Sequence, residues 1–347
     1  MAQGFDATKF VLIGQPATIA DRVGSAFETG HFSVSPNLVV YRGQSPPSQY
    51  QLTWFDRQGK MVGKVGDPGM IMQPRLSIDG SRVAFIKAEQ TGANNGDIWL
   101  LDLKRGTTMR LTFGPSSNTF SALSPDGREI AFSSNRDGVY NLYRKPVDGS
   151  EAEKLLLRTN EDKMALDWSR DGRYLLYDSS KNAGPVQMWV LPMQGEPTPI
   201  PFSHSQFDEY LGQFSPDGRW IAYESNETGK FEIYVREFKG LADSAGTGGK
   251  WLVSRDGGWH ALWRADGKEI VYDSLDRTSI MSVSVDTNGS FHAGSPQLLL
   301  KVPADRGYSG IFTATPDFSR FLMPVPMEVK VPQSFTVMVN WAAALKN

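Results

Sequence analysis

One motif recurs along this chain, and its recurrence limits the possible folds more than any other feature. Leu123-Ser124-Pro125-Asp126-Gly127-Arg128-Glu129-Ile130-Ala131-Phe132 and Phe214-Ser215-Pro216-Asp217-Gly218-Arg219-Trp220-Ile221-Ala222-Tyr223 are near copies. Weaker copies are centred on Asp79-Gly80, Asp171-Gly172, Asp266-Gly267 and Asp317-Phe318, with a shortened one at Ser35-Pro36-Asn37. The centres at 37, 79, 126, 171, 217, 266 and 317 lie 42 to 51 residues apart, so seven units fill the 347 residues. A period of that length points to a propeller.

Each unit reads as four short strands. An apolar residue (Leu76, Leu123, Trp168, Phe214, Trp263) leads into Asp-Gly, where glycine accepts the positive φ of a tight turn. A second strand follows at once. A third is built on β-formers, as in Ile98-Trp99-Leu100 or Ile233-Tyr234-Val235, and a fourth is short, as in Arg110-Leu111-Thr112. With no helical period in the chain, the expected fold is all-β: one domain over residues 1–347, a seven-bladed β-propeller of four-stranded antiparallel blades.

The last unit has only three strands' worth of sequence, over 311–323 and 335–341. The N-terminus resembles a third-to-fourth strand passage, since residues 1–6 echo 281–286, Phe10 echoes Phe291, and Gly14 with Pro16 echoes Gly294 with Pro296. Residues 1–20 are therefore expected to close the ring, with 16–20 pairing near 337–340. Residues 1–6 are then a surplus third strand, as in a chain cut from a longer protein.

Composition removes several functions. Lys plus Arg number 36 against 38 Asp plus Glu, which leaves no basic footprint for nucleic acid. Cysteine is absent, and with it disulfides, thiolate metal sites and a cysteine nucleophile. Apolar runs are strand-sized, far short of the roughly 20 residues of a membrane helix. The first residues have neither the basic start nor the apolar core of a secretory signal. His31, His204, His260 and His292 are scattered, and surface or packing roles suit them better than a shared metal. A Gly-x-Ser-x-Gly elbow is missing, as are the Gly-rich, His-Arg-Asp and Asp-Phe-Gly elements of a kinase. The repeated Asp of the turns reads as turn chemistry rather than a calcium array, and residues 286–290 lack the terminal Glu of an EF-type loop. No catalytic residue, metal or cofactor is expected.

Segments entering the first strands should gather at the mouth of a central channel. Seven residues before each turn stand Gly30, Met72, Thr119, Met164, Tyr210, Trp259 and Gly310, with Lys163, Asp208, Glu209, His260, Arg306 and Tyr308 nearby. Aromatic platforms beside charges are what a binding mouth requires, and packing at strand entrances uses the same residue types. Lys163, Asp208, Glu209, Tyr210, Trp259, His260 and Tyr308 are the candidate ligand-binding set. Four residues before the turns, Arg75, Asp167 and Gln213 are polar among apolar neighbours and are expected either to line the channel or to hydrogen-bond between blades.

The Ser-Pro-Asp-Gly-Arg copies followed by Ile-Ala-Phe or Ile-Ala-Tyr resemble the WD-like propeller repeat of the TolB periplasmic protein. Leu52-Thr53-Trp54-Phe55-Asp56-Arg57-Gln58-Gly59-Lys60, Asp97-Ile98-Trp99-Leu100, Arg110-Leu111-Thr112-Phe113, residues 212–220 and Val339-Asn340-Trp341 together resemble the C-terminal propeller of bacterial receptor-type serine/threonine kinases. That resemblance covers essentially the whole chain and implies a place outside the cytoplasmic membrane, periplasmic or extracellular. Three functions are open at this stage: a non-catalytic sensor or interaction propeller of a receptor kinase, a free-standing TolB-like scaffold, and a propeller enzyme of the lactonase or lyase kind. The first two would hold a protein, peptide or small molecule at the axis.

Overall fold

The computed structural model describes residues 2–19, 25–26, 29–30, 32–42, 49–88, 96–180, 184–240, 248–303, 311–327 and 335–341. They form strands and turns with no α-helix among them. The chain divides into two compact units, Ser48–Met327 and a smaller one made of Met1–Pro47 with Glu328–Asn347.

Ser48–Met327 is a ring of six four-stranded antiparallel blades. Blades 2 to 4 are contiguous in sequence: Asn118–Leu123, Glu129–Asp137, Val139–Pro146 and Lys154–Leu157; Lys163–Trp168, Tyr174–Ser180, Val186–Pro192 and Ile200–Pro201; Glu209–Phe214, Trp220–Ser225, Glu232–Glu237 and Lys250–Leu252. Blade 5 combines Trp259–Trp263, Glu269–Asp273, Ser279–Asp286 and Gln297–Lys301. Blades 1 and 6 share the long strand Met61–Leu76. Its second half opens blade 1, followed by Arg82–Ala88, Gly96–Asp102 and Thr107–Arg110. Its first half is the outer strand of blade 6, whose other strands are Thr313–Ala314, Arg320–Pro326 and Tyr50–Asp56.

Six apolar clusters hold the ring, one at each junction between neighbouring blades. This explains why second strands such as Trp220-Ile221-Ala222-Tyr223 are apolar on both faces: each face meets a different blade, and neither sees water. The sixth cluster joins Leu52, Trp54 and Leu322 to Ile71, Val83, Phe85 and Leu101, which completes the circle.

The recurrent motif is a self-contained turn. The Ser77, Ser124, Ser169 and Ser215 hydroxyls donate to the Asp two residues on, at 2.6 to 2.7 Å. Each also accepts the N–H that starts the second strand, at 2.9 to 3.0 Å. The glycine after the Asp has φ between 67° and 75° in five blades. The sixth has Phe318 there at φ 56°, and burial of its ring against Phe321 offsets the strain.

Three expectations are corrected. The ring has six blades, and it is closed by Tyr50–Asp56 on Arg320–Pro326 in seven register pairs, not by residues 16–20. The reason is burial. A third strand wedged between blades needs two apolar faces, which Leu52, Trp54 and Phe55 supply, whereas Phe335, Val337 and Val339 remain exposed on their strand. Phe335–Val339 instead pairs with Leu38–Arg42, beside Phe32–Val34, in a three-stranded sheet of the smaller unit. The turn at Ser35-Pro36-Asn37 belongs to that sheet. In the same unit Val11–Ala17 pairs with Ala2–Asp6 in a hairpin. The single domain expected over 1–347 is thus two compact units.

Candidate functional site

First strands run along the inside of the ring, and five of them break register on the way: between Met72 and Arg75, Thr119 and Ser121, Ala165 and Asp167, Tyr210 and Gln213, and Trp259 and Leu262. At four of these bulges a non-glycine residue is left-handed: Gln73, Phe120, Leu211 and His260, with φ from 39° to 50°. Bulges of this kind re-aim side chains and gather at functional sites.

Below the bulges is a cavity of about 110 Å³ lined from all six blades, with Arg75, Ser121, Asp167, Gln213, Trp263 and Thr313 among its walls. Its size suits a side chain or a few waters rather than a drug-sized molecule. Arg75, Asp167 and Gln213 line the cavity, and two of them also bridge blades: Asp167 accepts the Phe214 N–H at 2.8 Å, and Gln213 accepts the Trp263 N–H at 2.7 Å. Thr313 does the same for Leu76 at 3.2 Å. Arg75 donates toward His260 Nε2 at 3.1 Å across the ring. Confinement raises the Asp167 carboxyl to about 6, against the pull of the Phe214 N–H and Arg75, and it lowers Arg75 while Asp167 opposes that.

Above the bulges is the mouth. Tyr210 lies 5.7 Å from Phe231, and Phe231 4.5 Å from Trp259, ring centre to ring centre. The Arg277 guanidinium stands 5.2 Å over the Trp259 ring, and the indole N–H donates to the Leu275 carbonyl at 3.1 Å. Behind these rings are three buried carboxylates, Asp178, Glu224 and Asp273, at one position of successive second strands, seven residues after the turn Asp. Glu224 accepts the His260 N–H at 2.5 Å, and the buried His260 ring lies edge-on to Phe312. Burial pushes Glu224 up to about 8, against the His260 N–H and Arg277, with Asp273 adding to the rise.

Tyr210, Trp259 and His260 therefore converge. Lys163, Asp208 and Glu209 have other work. Lys163 is buried and donates to Asn141 Oδ1 at 3.2 Å and the Glu161 carbonyl at 2.5 Å. Asp208 accepts the Val186 N–H and the Asn226 side-chain amide, and Glu209 takes the Ser203 hydroxyl. Tyr308 lies outside the described residues. Phe231, Arg277 and the three carboxylates were missed at the sequence level. Comparing units seven residues after the turn gives Ile86, Ser133, Asp178, Glu224, Asp273 and Pro324, and that column shows the acids. Among the described residues no cluster of three His, Asp or Glu is set to hold a metal, and no helix is long and apolar enough to cross a membrane.

A pH effect follows. Glu224 has an ordinary value of 4.5 and about 8 in the fold, so between those limits the native state keeps a proton that the unfolded chain has released. Its contribution is full below about pH 4.5 and is lost as pH rises toward 8. Glu224→Gln keeps an acceptor for His260 and removes the proton. Thermal melts should show this variant gaining on the wild type as pH rises from 5 to 8; a constant difference would refute the buried acid.

Six radial blades about an axial channel define a six-bladed β-propeller. Residues 56–209 match the family described as the TolB beta propeller domain. The solved structure of a putative TolB from Agrobacterium tumefaciens superposes with a TM-score of 0.64 at 18% identity, covering 82% of this chain and 100% of that one. The Tol-Pal system protein TolB of Wolinella succinogenes is 30% identical over 116 residues, which is 33% of this chain and 26% of that protein. An uncharacterized peptidase, YuxL of Bacillus subtilis, is 26% identical over 196 residues, 46% of this chain and 30% of its own length. The chain thus spans under a third of either curated relative.

Proposed function

We propose that the ring is a non-catalytic interaction propeller that takes a protein or peptide partner at the axial mouth. The convergence of Tyr210, Phe231, Trp259 and Arg277 from two blades carries this reading, because aromatic and arginine side chains gathered over a desolvated floor are the composition of binding hot spots. The narrow cavity beneath supports it, since it has room for one anchoring side chain. Likeness to TolB-type propellers favours an envelope scaffold outside the cytoplasm. Resemblance of the repeats to receptor-kinase propellers favours the finer reading of a sensor segment, and a kinase domain with a membrane span encoded upstream would test it.

Random-peptide display on the full chain tests the mouth. Selected peptides should lose roughly 30-fold in affinity on Trp259→Ala, about 2 kcal/mol, with the melting temperature little changed. A variant that lost stability but bound the peptides normally would make Trp259 a packing residue and sink the proposal.

A further inference from the structure

Resting on that reading of the mouth, we infer that the floor beneath Tyr210 and Trp259 receives a cationic group of the partner, an ammonium or guanidinium, with Asp178 and Glu224 as its carboxylate ligands.

The inference starts from a position that has a structural job in other blades. Seven residues after the turn, Ser133 accepts the Ala165 N–H of the next blade at 2.9 Å, and Glu224 accepts the His260 N–H of the next blade. Each quiets the N–H of the residue six before the next turn, at the first-strand bulge. Asp178 occupies the same position in blade 3, and Leu211 is the matching residue of blade 4. Yet no hydrogen-bond donor among the described residues reaches the Asp178 carboxyl, although the residue is only 5% exposed. A carboxylate so enclosed, with no such donor and only a narrow opening to solvent, is costly, and an interior that serves stability alone has no reason to keep one.

Its surroundings define what would complete it. Burial, and then Glu224, raise Asp178 well above the ordinary range. Glu224 is the register partner of Tyr210 on the neighbouring strand, and Asp208, Asp178 and Glu224 all raise the Tyr210 hydroxyl, after its own burial, which sets these carboxylates near that hydroxyl. Around Glu224 stand Asp273 and Arg277 of blade 5 and the His260 backbone N–H, and the imidazole of His260 meets Arg75. Arg277 already rests on the Trp259 face, which shows the ring system accepting a guanidinium. An incoming cation would meet π-faces at the rim and carboxylates at the floor. A carboxyl that is protonated beforehand releases its proton to solvent as the cation arrives, and the contact with the ligand is ionic, with no covalent bond to it formed.

Calorimetric titration of the full chain with acetyl-Gly-Lys-Gly-amide and acetyl-Gly-Gln-Gly-amide tests this directly. The Lys peptide should bind at least tenfold tighter than the Gln peptide at pH 9. Its affinity should fall as pH drops to 6, because protons reclaim the carboxylates while lysine, with a pKa near 10.4, stays charged. Asp178→Asn should reduce it to the Gln level. Asp178→Ser, which copies the residue of blade 2 and preserves the fold, should do the same. No preference for lysine, including no binding of either peptide, overturns the inference, as does a preference that survives both variants. Display-selected peptides that depend on Trp259 but carry no cation would uphold the mouth and overturn only the cation.

Discussion

A chain beginning at residue 58 should lose cooperative folding, whereas one running from Ser48 to Met327 should keep it. Tyr50–Asp56 is the third strand of blade 6, and without it Arg320–Pro326 loses seven register pairs and the ring loses two of its six junctions at once. Phe55 belongs to the junction with blade 5, and Leu52 with Trp54 to that with blade 1. Removing all three takes at least three large buried side chains from the core, each worth several kcal/mol, which is comparable to the roughly 5–15 kcal/mol of a whole domain. Deleting residues 2–17 removes only the hairpin of the smaller unit and should leave the ring's melting transition in place. The two truncations, compared by near-ultraviolet circular dichroism and thermal melting, separate this closure from one made by the N-terminus. If the shorter deletion unfolds the ring and the 58-onward chain melts normally, the assignment of the closing strand is wrong.

Phe321→Ala should be the most damaging single substitution in blade 6, at about 3–5 kcal/mol. Its side chain is fully buried among Phe55, Phe312, Phe318 and Met323, with ring contacts to both Phe312 and Phe318 at 6.0 Å. The loss goes beyond the cavity, because Phe318 sits left-handed in the turn and depends on Phe321 for its packing. Phe335→Ala, at an equally aromatic residue that is 64% exposed, should change stability by less than about 0.5 kcal/mol. Urea titration of both variants checks the contrast; equal losses would mean that Phe335 is buried in solution.

Much of the fold was legible because the turn chemistry is local. Asp at a fixed offset, with Ser before it in four turns and Gly after it in five, closes its own hydrogen bonds, so the six ring turns could be placed from residue identity alone. Ring closure was not legible, since it depends on which third strand follows Arg320–Pro326, and two segments of β-forming composition compete for that place. Burial of Leu52 and Trp54 decides it, and burial is a property of the assembled blades. The mouth was half legible. Tyr210 and Trp259 were found by counting back from the turn, but Asp178, Glu224 and Asp273 lie in second strands where a polar residue reads as a solvent face. Only the curvature of the ring turns that face inward. Lys163, Asp208 and Glu209 were chosen for charge, and charge alone does not distinguish a ligand contact from a brace between strands.

The shared blade also bears on how the ring can assemble. Tyr50–Asp56 is the first strand of the ring to be synthesised and its partner Arg320–Pro326 the last of the ring, so the pairing has about the longest sequence separation the unit allows. At synthesis rates of roughly 5–20 residues per second the early strand waits for tens of seconds. Throughout that time it presents an unpaired edge with apolar side chains on both faces, a template for any other nascent chain. Folding of this ring is therefore governed by non-local contact formation and should be slow, and the yield of soluble protein should fall as expression outpaces the chaperones that shield that single strand.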